Sequence, residues 1–232
     1  MQTLIQKTSN QSLLGQHGFS LIEIMVALVL AALVFLAVPS GDNAQKHRAL
    51  QTDMDNLDRS IRFAANEAVL RNTVVRLRIS LDESPVQYTV EYGPAGNLPL
   101  PDMPENLDSL SLAQQKAMQD KTTALSRQFT KVSEFEDIKR QVSDDVTIFG
   151  VATNAQKGIM KDGEANIYFY PTGEKDAALI FFSTTEEVAH LEIEPFLQET
   201  RKVFFTLDTS RVAKLEDLIQ TRMSEVYQEW GH

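Results

Sequence analysis

A run of twenty residues near the N-terminus, residues 19–38, is apolar apart from Ser20 and Glu23. At about 1.5 Å of rise per residue, a helix of this length measures roughly 30 Å, the thickness of the hydrocarbon core of a bilayer. The run therefore predicts a helix that enters a membrane. A carboxylate inside a membrane is costly unless a partner compensates it, so Glu23 is the residue of the run that needs an explanation.

Three interpretations of this segment are open. A simple membrane anchor would hold Lys7 on the inner side by the positive-inside rule. A cleaved secretory signal fits poorly, because the run exceeds the usual length of about 7–15 residues and no small-x-small site precedes the "VPSG" sequence of residues 38–41. Cleavage between Gly18 and Phe19 would instead create an α-amino group four residues before Glu23. Such an amine–carboxylate pair, within one chain or between neighbouring chains, would neutralise both charges and fix the axial register.

The stretch from Gly18 to Leu28, GFSLIEIMVAL, resembles the class III signal of type IV pilins and type II secretion pseudopilins. The resemblance rests on the glycine before the cut, on Phe19 at the new N-terminus, on Glu23 and on the apolar helix. It implies cleavage on the cytoplasmic side by prepilin peptidase, N-methylation of Phe19 and retention of the hydrophobic segment. Residues 1–18 are then a leader peptide, and residues 19–39 are a transmembrane and assembly helix.

The helical pattern continues in amphipathic form through residues 40–72. Apolar positions recur at steps of three and four, which predicts one face against a core. These positions are His47, Leu50, Met54, Leu57, Ile61, Ala64 and Ala68. The charged residues between them are expected on a solvated face, and they are Asp53, Asp55, Asp58, Arg59, Arg62 and Glu67. One continuous helix over residues 19–71 would be about 80 Å long, and Pro39 is expected to bend it.

The hydrophobic period then changes to two, which predicts a β-rich head over residues 73–207. Residues 75–81 and 86–92 have the pattern of a hairpin with a turn at residues 82–85. Arg76 and Arg78 are predicted to face solvent, opposite acidic neighbours. Five further strands are predicted, at residues 146–151, 166–170, 178–182, 190–194 and 203–207.

Two segments depart from the β pattern. Residues 93–106 hold four prolines and predict an irregular loop, after which residues 107–142 return to helical spacing and predict one or two inserted helices. Packing is the favoured role of this insertion over partner binding. Residues 208–232 predict an extra amphipathic C-terminal helix, in which Trp230 is a packing residue.

Residues 165–182, ANIYFYPTGEKDAALIFF, place two strands around a Pro171-Thr172-Gly173 turn, where glycine permits a positive φ. This piece and residues 64–79 resemble the H-type (GspH) minor pseudopilins and the related FimT-like minor pilins. The resemblance implies an α+β, pilin-like fold. In that fold a long N-terminal hydrophobic helix packs on an antiparallel β-sheet head, here with an inserted helical segment and an extra C-terminal helix.

The composition and the motifs argue against catalysis. The chain has no cysteine, which excludes thiol chemistry, disulfides and cysteine-bound metals. Its four histidines are scattered, and no nucleophile–base or phosphate-loop pattern occurs. The adjacent carboxylates Asp144-Asp145 and Glu186-Glu187 lack calcium-loop spacing and are predicted in solvated turns or caps. We therefore expect no enzymatic activity and assign no cofactor and no metal.

The resemblance implies a minor pseudopilin of the type II secretion pseudopilus. Such a subunit is a single-pass protein of the bacterial inner membrane with its head in the periplasm. Its implied partners are other pseudopilins or pilins in a hetero-oligomeric filament, prepilin peptidase and an inner-membrane assembly platform, and it lies in the inner membrane before assembly. Its implied role is to support protein export across the outer membrane.

Two alternatives remain. The first is a minor type IV pilin for pilus assembly, adhesion, twitching or FimT-like DNA uptake. DNA uptake needs a basic C-terminal patch, whereas the basic residues near this C-terminus are offset by acids and the chain carries a net charge of -10, so no nucleic acid is expected as a partner. The second is a membrane-anchored binding protein that never polymerises, for which Glu23→Ala would change only local stability.

Overall fold

The structure, a computed structural model, describes residues 20–37, 42–95, 111–133, 140–206 and 215–230. The helices are α1 (Leu21–Ala37), α2 (Asp42–Arg71), α3 (Leu112–Ser126) and α4 (Leu215–Trp230). The strands are β1 (Thr73–Ser80), β2 (Gln87–Ala95), β3 (Thr130–Lys131), β4 (Thr147–Thr153), β5 (Gln156–Met160), β6 (Glu164–Phe169), β7 (Ala178–Ser183), β8 (Glu187–Ile193) and β9 (Arg201–Thr206). The chain divides between Gly41 and Asp42 into two compact units, of which the first contains α1 and the second all other elements.

The second unit is a head built on two antiparallel sheets. Sheet A has the strand order β3-β2-β1-β6, and sheet B has the order β5-β4-β7-β8-β9. The hairpin of β1 and β2 confirms the predicted pair of strands, with Leu77 opposite Val90 and Ile79 opposite Tyr88. The predicted α+β class with an antiparallel head is therefore confirmed, although the head has two sheets and contains β3 and β5, which the sequence patterns did not predict.

A single hydrophobic core joins α2 to both sheets. The apolar stripe of α2 is buried as predicted, except for His47, which is partly exposed at the start of the stripe. The stripe meets inward-facing residues of β1, β2 and β6 from sheet A and of β4, β7 and β8 from sheet B. Burial of apolar surface on this scale is the main favourable contribution to the folding of the head.

Part of the charged side of α2 is covered, which contradicts the prediction of a solvated face. Asp53 and Asp58 are buried. The Asp53 carboxylate accepts a hydrogen bond from the Ser143 N–H at 2.8 Å, and Asp58 accepts from the Thr200 hydroxyl at 2.8 Å and pairs with Arg62. The loops that precede β4 and β9 fold over these carboxylates, an arrangement that the spacing along one helix does not reveal.

The pKa values of these two carboxyl groups are shifted in opposite directions. Burial raises the pKa of Asp53, because the hydrogen bonds from Ser143 offset only part of the lost hydration. Burial would also raise the pKa of Asp58, but hydrogen bonds from Arg62 and Thr200 and the charge of Lys202 hold that pKa below its ordinary value. Asp58 is thus the better compensated of the two.

The prediction that Arg76 faces solvent is also wrong. Its side chain is 2% exposed, Nη2 lies 2.6 Å from the Glu91 carboxylate, and Nη1 donates to the Ser126 hydroxyl at 2.9 Å. The Phe129 ring lies 4.1 Å from the guanidinium carbon. Arg78 is partly exposed and also pairs with Glu91, at 3.1 Å, so the predicted acidic neighbour is present. Arg76 is buried because the end of the insertion covers this face of sheet A.

The insertion is less helical than predicted. Helix α3 begins at a capping box in which Ser111 and Gln114 exchange hydrogen bonds, and it ends at Ser126. The chain then becomes extended and adds β3 to the edge of sheet A beside β2. Residues 134–139 lie outside the described part of the chain. In the described residues 127–133 the predicted helical spacing falls on a turn followed by β3, where Val132 reaches the core.

The turn at residues 171–173 carries the chain from one sheet to the other. Strand β6 pairs with β1 in sheet A, whereas β7 pairs with β4 and β8 in sheet B. Gly173 has a φ of +88°, as the turn chemistry predicted. Asp176 is buried behind the turn and accepts hydrogen bonds from the Tyr168 N–H at 3.0 Å and the Tyr170 hydroxyl at 3.2 Å.

Helix α4 confirms the predicted C-terminal helix over its described residues. It packs on the face of sheet B opposite the shared core, where Met223 and Val226 are buried against Leu179 and Phe181. Trp230 packs at the edge of the same cluster. This small second core covers a sheet face that would otherwise be exposed.

The dependence of the head on the α2 stripe can be measured directly. Leu57→Ala should lower the free energy of unfolding by about 2–5 kcal/mol, because it leaves a cavity at a fully buried position. Urea denaturation of the full chain in mild detergent, followed by circular dichroism, measures this change. Leu70→Ala, at a position on the same helix that is 79% exposed, is the matched control and should change stability by less than about 0.5 kcal/mol. Equal losses in the two variants would contradict the assignment of the core.

Candidate functional site

Helix α1 is the candidate site, because its apolar side chains are exposed instead of buried in the head. Its sequence is LIEIMVALVLAALVFLA, and all side chains described within it, residues 21–33, are exposed. Leu21 is 78% exposed and Ile22 is 71% exposed. Apolar surface costs about 25 cal/mol per Å² in water, so such a helix requires a membrane or other protein chains around it.

Within the residues that the structure describes, none of the helices combines the length and the apolar character that crossing a membrane requires. Helix α1 is described over 17 residues. Residues 38 and 39 of the predicted transmembrane segment, and Phe19 at its start, lie outside the described residues.

Glu23 lies in the first turn of α1. Its backbone N–H donates to the Ser20 carbonyl oxygen at 3.0 Å and to the Ser20 hydroxyl at 3.2 Å. Ser20 therefore caps the helix, and the sequence Ser20-Leu21-Ile22-Glu23 matches the capping-box pattern of serine followed three residues later by glutamate. Sequence reasoning missed this cap although the signal was present.

The position of Glu23 in the first turn gives its carboxylate a second role beside the predicted ion pair. The N-terminal end of a helix carries partial positive charge from its free N–H groups, so an anionic side chain in the first turn is stabilised there. A new α-amino group at residue 19 would add a full positive charge to the same end. The helix terminus and the amine would thus act on this carboxylate in the same direction.

The other predicted site residues lie outside the described part of the chain. These residues are Gly18 and Phe19 at the cleavage site and Pro39 at the bend. Their roles in processing, N-methylation and bending stay predictions. Residues 1–18 and residue 39 also lie outside the described residues, so the leader peptide and the domain limit at residue 39 stay predictions.

The start of α2 is tied to sheet B by polar contacts that the sequence did not indicate. His47 Nδ1 lies 2.7 Å from the Glu187 carboxylate, and the Lys46 ammonium donates to the Thr185 hydroxyl at 3.1 Å. The His47 ring also packs on Phe204, with 5.6 Å between the ring centroids. These contacts fix the first turns of the long helix to the head. The paired residues are about 140 positions apart in the sequence, so the local hydrophobic pattern around either residue does not predict the contact.

Among the residues that the structure describes, no group of three or more histidine, aspartate or glutamate side chains is placed to hold a metal ion. Asp144 and Asp145 lie in an exposed turn, as predicted. Glu187 differs from its prediction, because it belongs to β8 and pairs with His47.

Comparison with known proteins identifies the N-terminal segment. The family model described as the prokaryotic N-terminal methylation motif matches residues 13–39. This range contains Gly18, Phe19, Glu23 and Pro39. The match supports a pilin- or pseudopilin-type protein, with a membrane-anchored N-terminus, processing by prepilin peptidase and assembly with other pilins. No curated protein and no solved structure was found to match the chain.

Processing at Gly18 is open to a direct test. Gly18→Leu should leave the unprocessed precursor in the membrane, because the peptidase must accommodate the residue before the cut. Gly15→Leu, in the same segment, is the matched control and should be processed normally. Mass spectrometry of the N-terminal peptide distinguishes a chain that begins at Met1 from one that begins at Phe19. Normal processing of Gly18→Leu would contradict the prepilin interpretation.

The two roles of Glu23 separate by substitution. Glutamine keeps the size and polarity of the side chain but has no charge, so Glu23→Gln should fail to assemble as Glu23→Ala does if the carboxylate pairs with an amine. Ser20→Ala removes the cap and keeps the charge, so it should assemble. All three variants should still be cleaved after Gly18. Recovery in sheared filaments, compared with total membrane protein, measures assembly. Normal assembly of Glu23→Gln would contradict the predicted ion pair.

Proposed function

We propose that the protein is a minor pseudopilin subunit of a type II secretion pseudopilus. The observation that carries the proposal is the exposed apolar helix α1 within the methylation motif, with Glu23 in its first turn. Before assembly the helix anchors the chain in the inner membrane, and the head lies in the periplasm. After assembly the helix packs among the helices of other subunits, and the filament supports protein export across the outer membrane.

The chemistry of α1 supplies a mechanism for this assembly. In lipid the carboxylate of Glu23 is costly, and in a bundle of helices it can meet the α-amino group of Phe19 from its own chain or from a neighbouring chain. The attraction within such a pair is large in a low-dielectric environment, but desolvation of both charges offsets much of it. The pair therefore contributes mainly register, because a subunit shifted along the filament axis leaves both charges without partners.

The charge of the head favours secretion over DNA uptake. In the described residues 215–230 of α4, the acids Glu216, Asp217, Glu225 and Glu229 outnumber the single base Arg222. Nearby on β9, Arg201 pairs with Glu192 and Lys202 pairs with Asp55, both at 2.6 Å. A surface that binds DNA needs basic side chains available for phosphates. These basic side chains are engaged by acids instead.

The system that uses the subunit is tested in the source bacterium. Deletion of the gene should leave exported enzymes in the periplasm and reduce their activity in the culture supernatant, while twitching and DNA uptake continue. Complementation with the natural chain should restore secretion, and complementation with Glu23→Ala should not. Lost twitching with normal secretion would contradict the proposal and assign the subunit to a type IV pilus. Lost DNA uptake alone would assign it to DNA import.

A further inference from the structure

A cavity of about 230 Å³ lies between sheet B and the last turns of α4. Its apolar walls come from β7, β9 and α4. They consist of Leu179 from β7, Val203 and Phe205 from β9, and Val226 and Trp230 from α4. Its polar groups are His190, Glu192, Arg201 and Glu229. We call this cavity the His190 pocket. All of its lining residues belong to the head.

His190 is a largely buried residue of this pocket, only 4% exposed. In the described part of the chain no hydrogen bond to its ring occurs. The ring stacks on Phe205, with 5.7 Å between centroids and 27° between planes, which fixes its orientation. The ring nitrogens are not among the fully enclosed side-chain atoms that lack a hydrogen-bond partner, so they remain accessible and can hydrogen-bond to a group bound in the pocket.

The remaining polar groups are engaged or peripheral. Arg201 Nη2 and Nε both lie 2.6 Å from one oxygen of Glu192, so this pair satisfies itself at the rim. Burial lowers the pKa of His190, which keeps the imidazole neutral near pH 7, with one nitrogen that donates and one that accepts. A neutral imidazole suits a hydroxyl group, which also donates and accepts, better than it suits a charged ligand.

The volume and the walls define the size of the occupant. A cavity of about 150 Å³ accommodates a benzene ring, whereas sites for drug-sized molecules usually measure about 300–1,000 Å³. The His190 pocket therefore suits one aromatic ring with a small substituent. Trp230 supplies an aromatic wall against which such a ring can pack edge to face or in an offset stack. The Phe205 ring is packed by His190 and by the Arg222 guanidinium, whose carbon lies 3.9 Å from the ring centroid, so Phe205 contributes its edge.

The neighbouring strand indicates that the ring belongs to a polypeptide. Strand β9 contributes Val203 and Phe205 to the pocket, and among the described strands it pairs only with β8. The backbone groups on its outer side can therefore pair with an added extended segment, as sheet edges do in strand-addition complexes. In such complexes the backbone supplies affinity and a side-chain pocket supplies specificity.

We propose that the His190 pocket binds the side chain of a tyrosine from a partner polypeptide docked along β9. The phenol ring packs against Trp230 and the edge of Phe205, and its hydroxyl hydrogen-bonds to the His190 ring. The pocket then recognises that tyrosine, while β9 pairs with the backbone of the extended segment that carries it.

Trp230 is the only tryptophan in the chain, so its fluorescence reports on the wall of this pocket. We would titrate the full chain in detergent micelles with N-acetyl-tyrosinamide, N-acetyl-phenylalaninamide and p-cresol, with excitation at the red edge of the tryptophan band. N-acetyl-tyrosinamide should give a saturable change with a Kd on the order of 1 mM, as fits a single small group. N-acetyl-phenylalaninamide should bind roughly fivefold more weakly, because it lacks one hydrogen bond.

Variants make the test specific. His190→Phe keeps an aromatic ring and should weaken N-acetyl-tyrosinamide about fivefold, to the level of the phenylalanine probe. Val203→Phe fills the cavity and should abolish binding of both amides, so it also tests the site if His190→Phe fails to fold. His47→Phe, which changes a histidine elsewhere in the head, should leave both affinities unchanged. The same variants in the same micelles correct for partition of the probes into detergent.

Three outcomes would overturn the proposal. One is the absence of any saturable change at probe concentrations tenfold above the expected Kd. Another is equal binding of N-acetyl-tyrosinamide to the natural chain and to Val203→Phe. The third is binding of p-cresol without binding of N-acetyl-tyrosinamide, which would assign the pocket to a free phenol instead of a polypeptide. Filament assembly by α1 is not measured in any of these titrations, so failure here leaves the proposed function standing.

Discussion

Burial of one face of α2 is the constraint on which the head depends. Sheets A and B share no strand, and each presents an apolar face toward the same helix. Leu50, Leu57 and Ile61 lie in that common core with no exposed surface. Removing the helix would expose the inner faces of both sheets at once, with a cost that grows by about 25 cal/mol for each Å² of apolar surface. The chain crosses from sheet A to sheet B through the Gly173 turn between β6 and β7, and α2 packs against both sheets.

The same chain contains a second apolar helix whose surface is not covered in this way. All side chains described in α1 are exposed, and most of them are large and aliphatic. The hydrophobic effect that places α2 inside the head therefore drives α1 toward a membrane or toward other chains. Glu23 gives this helix a polar start, since Ser20 caps its first turn and the free N–H groups there favour an anion. Folding and assembly thus use the same force on two successive helices.

Buried charge distinguishes the head from a simple helix-on-sheet arrangement. Arg76 is covered by the chain that follows α3 and is held by Glu91, Ser126 and Phe129. A buried ion pair is weak evidence for stability, because desolvation offsets much of its attraction, but loss of one partner leaves an uncompensated charge. The pair therefore selects one position for the insertion on sheet A. Buried charges on α2 are also compensated by other parts of the chain. Asp53 and Asp58 accept hydrogen bonds from loops that cross the helix.

The sequence by itself determined the apolar N-terminal helix, the buried stripe of α2, the β1–β2 hairpin and the helical C-terminus. These elements are local, and a hydrophobic period of 3.6 or 2 residues indicates which side of a helix or strand faces the core. It also determined Glu23 as the unusual residue of α1, although the capping role of Ser20 became visible only with its hydrogen bond. Only the tertiary structure decided that the head has two sheets, that Arg76 is buried, that Thr130–Lys131 form the edge strand β3 and that His190 lines a cavity. Each of these depends on segments that are distant along the chain, and a local period shows that a residue is polar but not what will come to cover it.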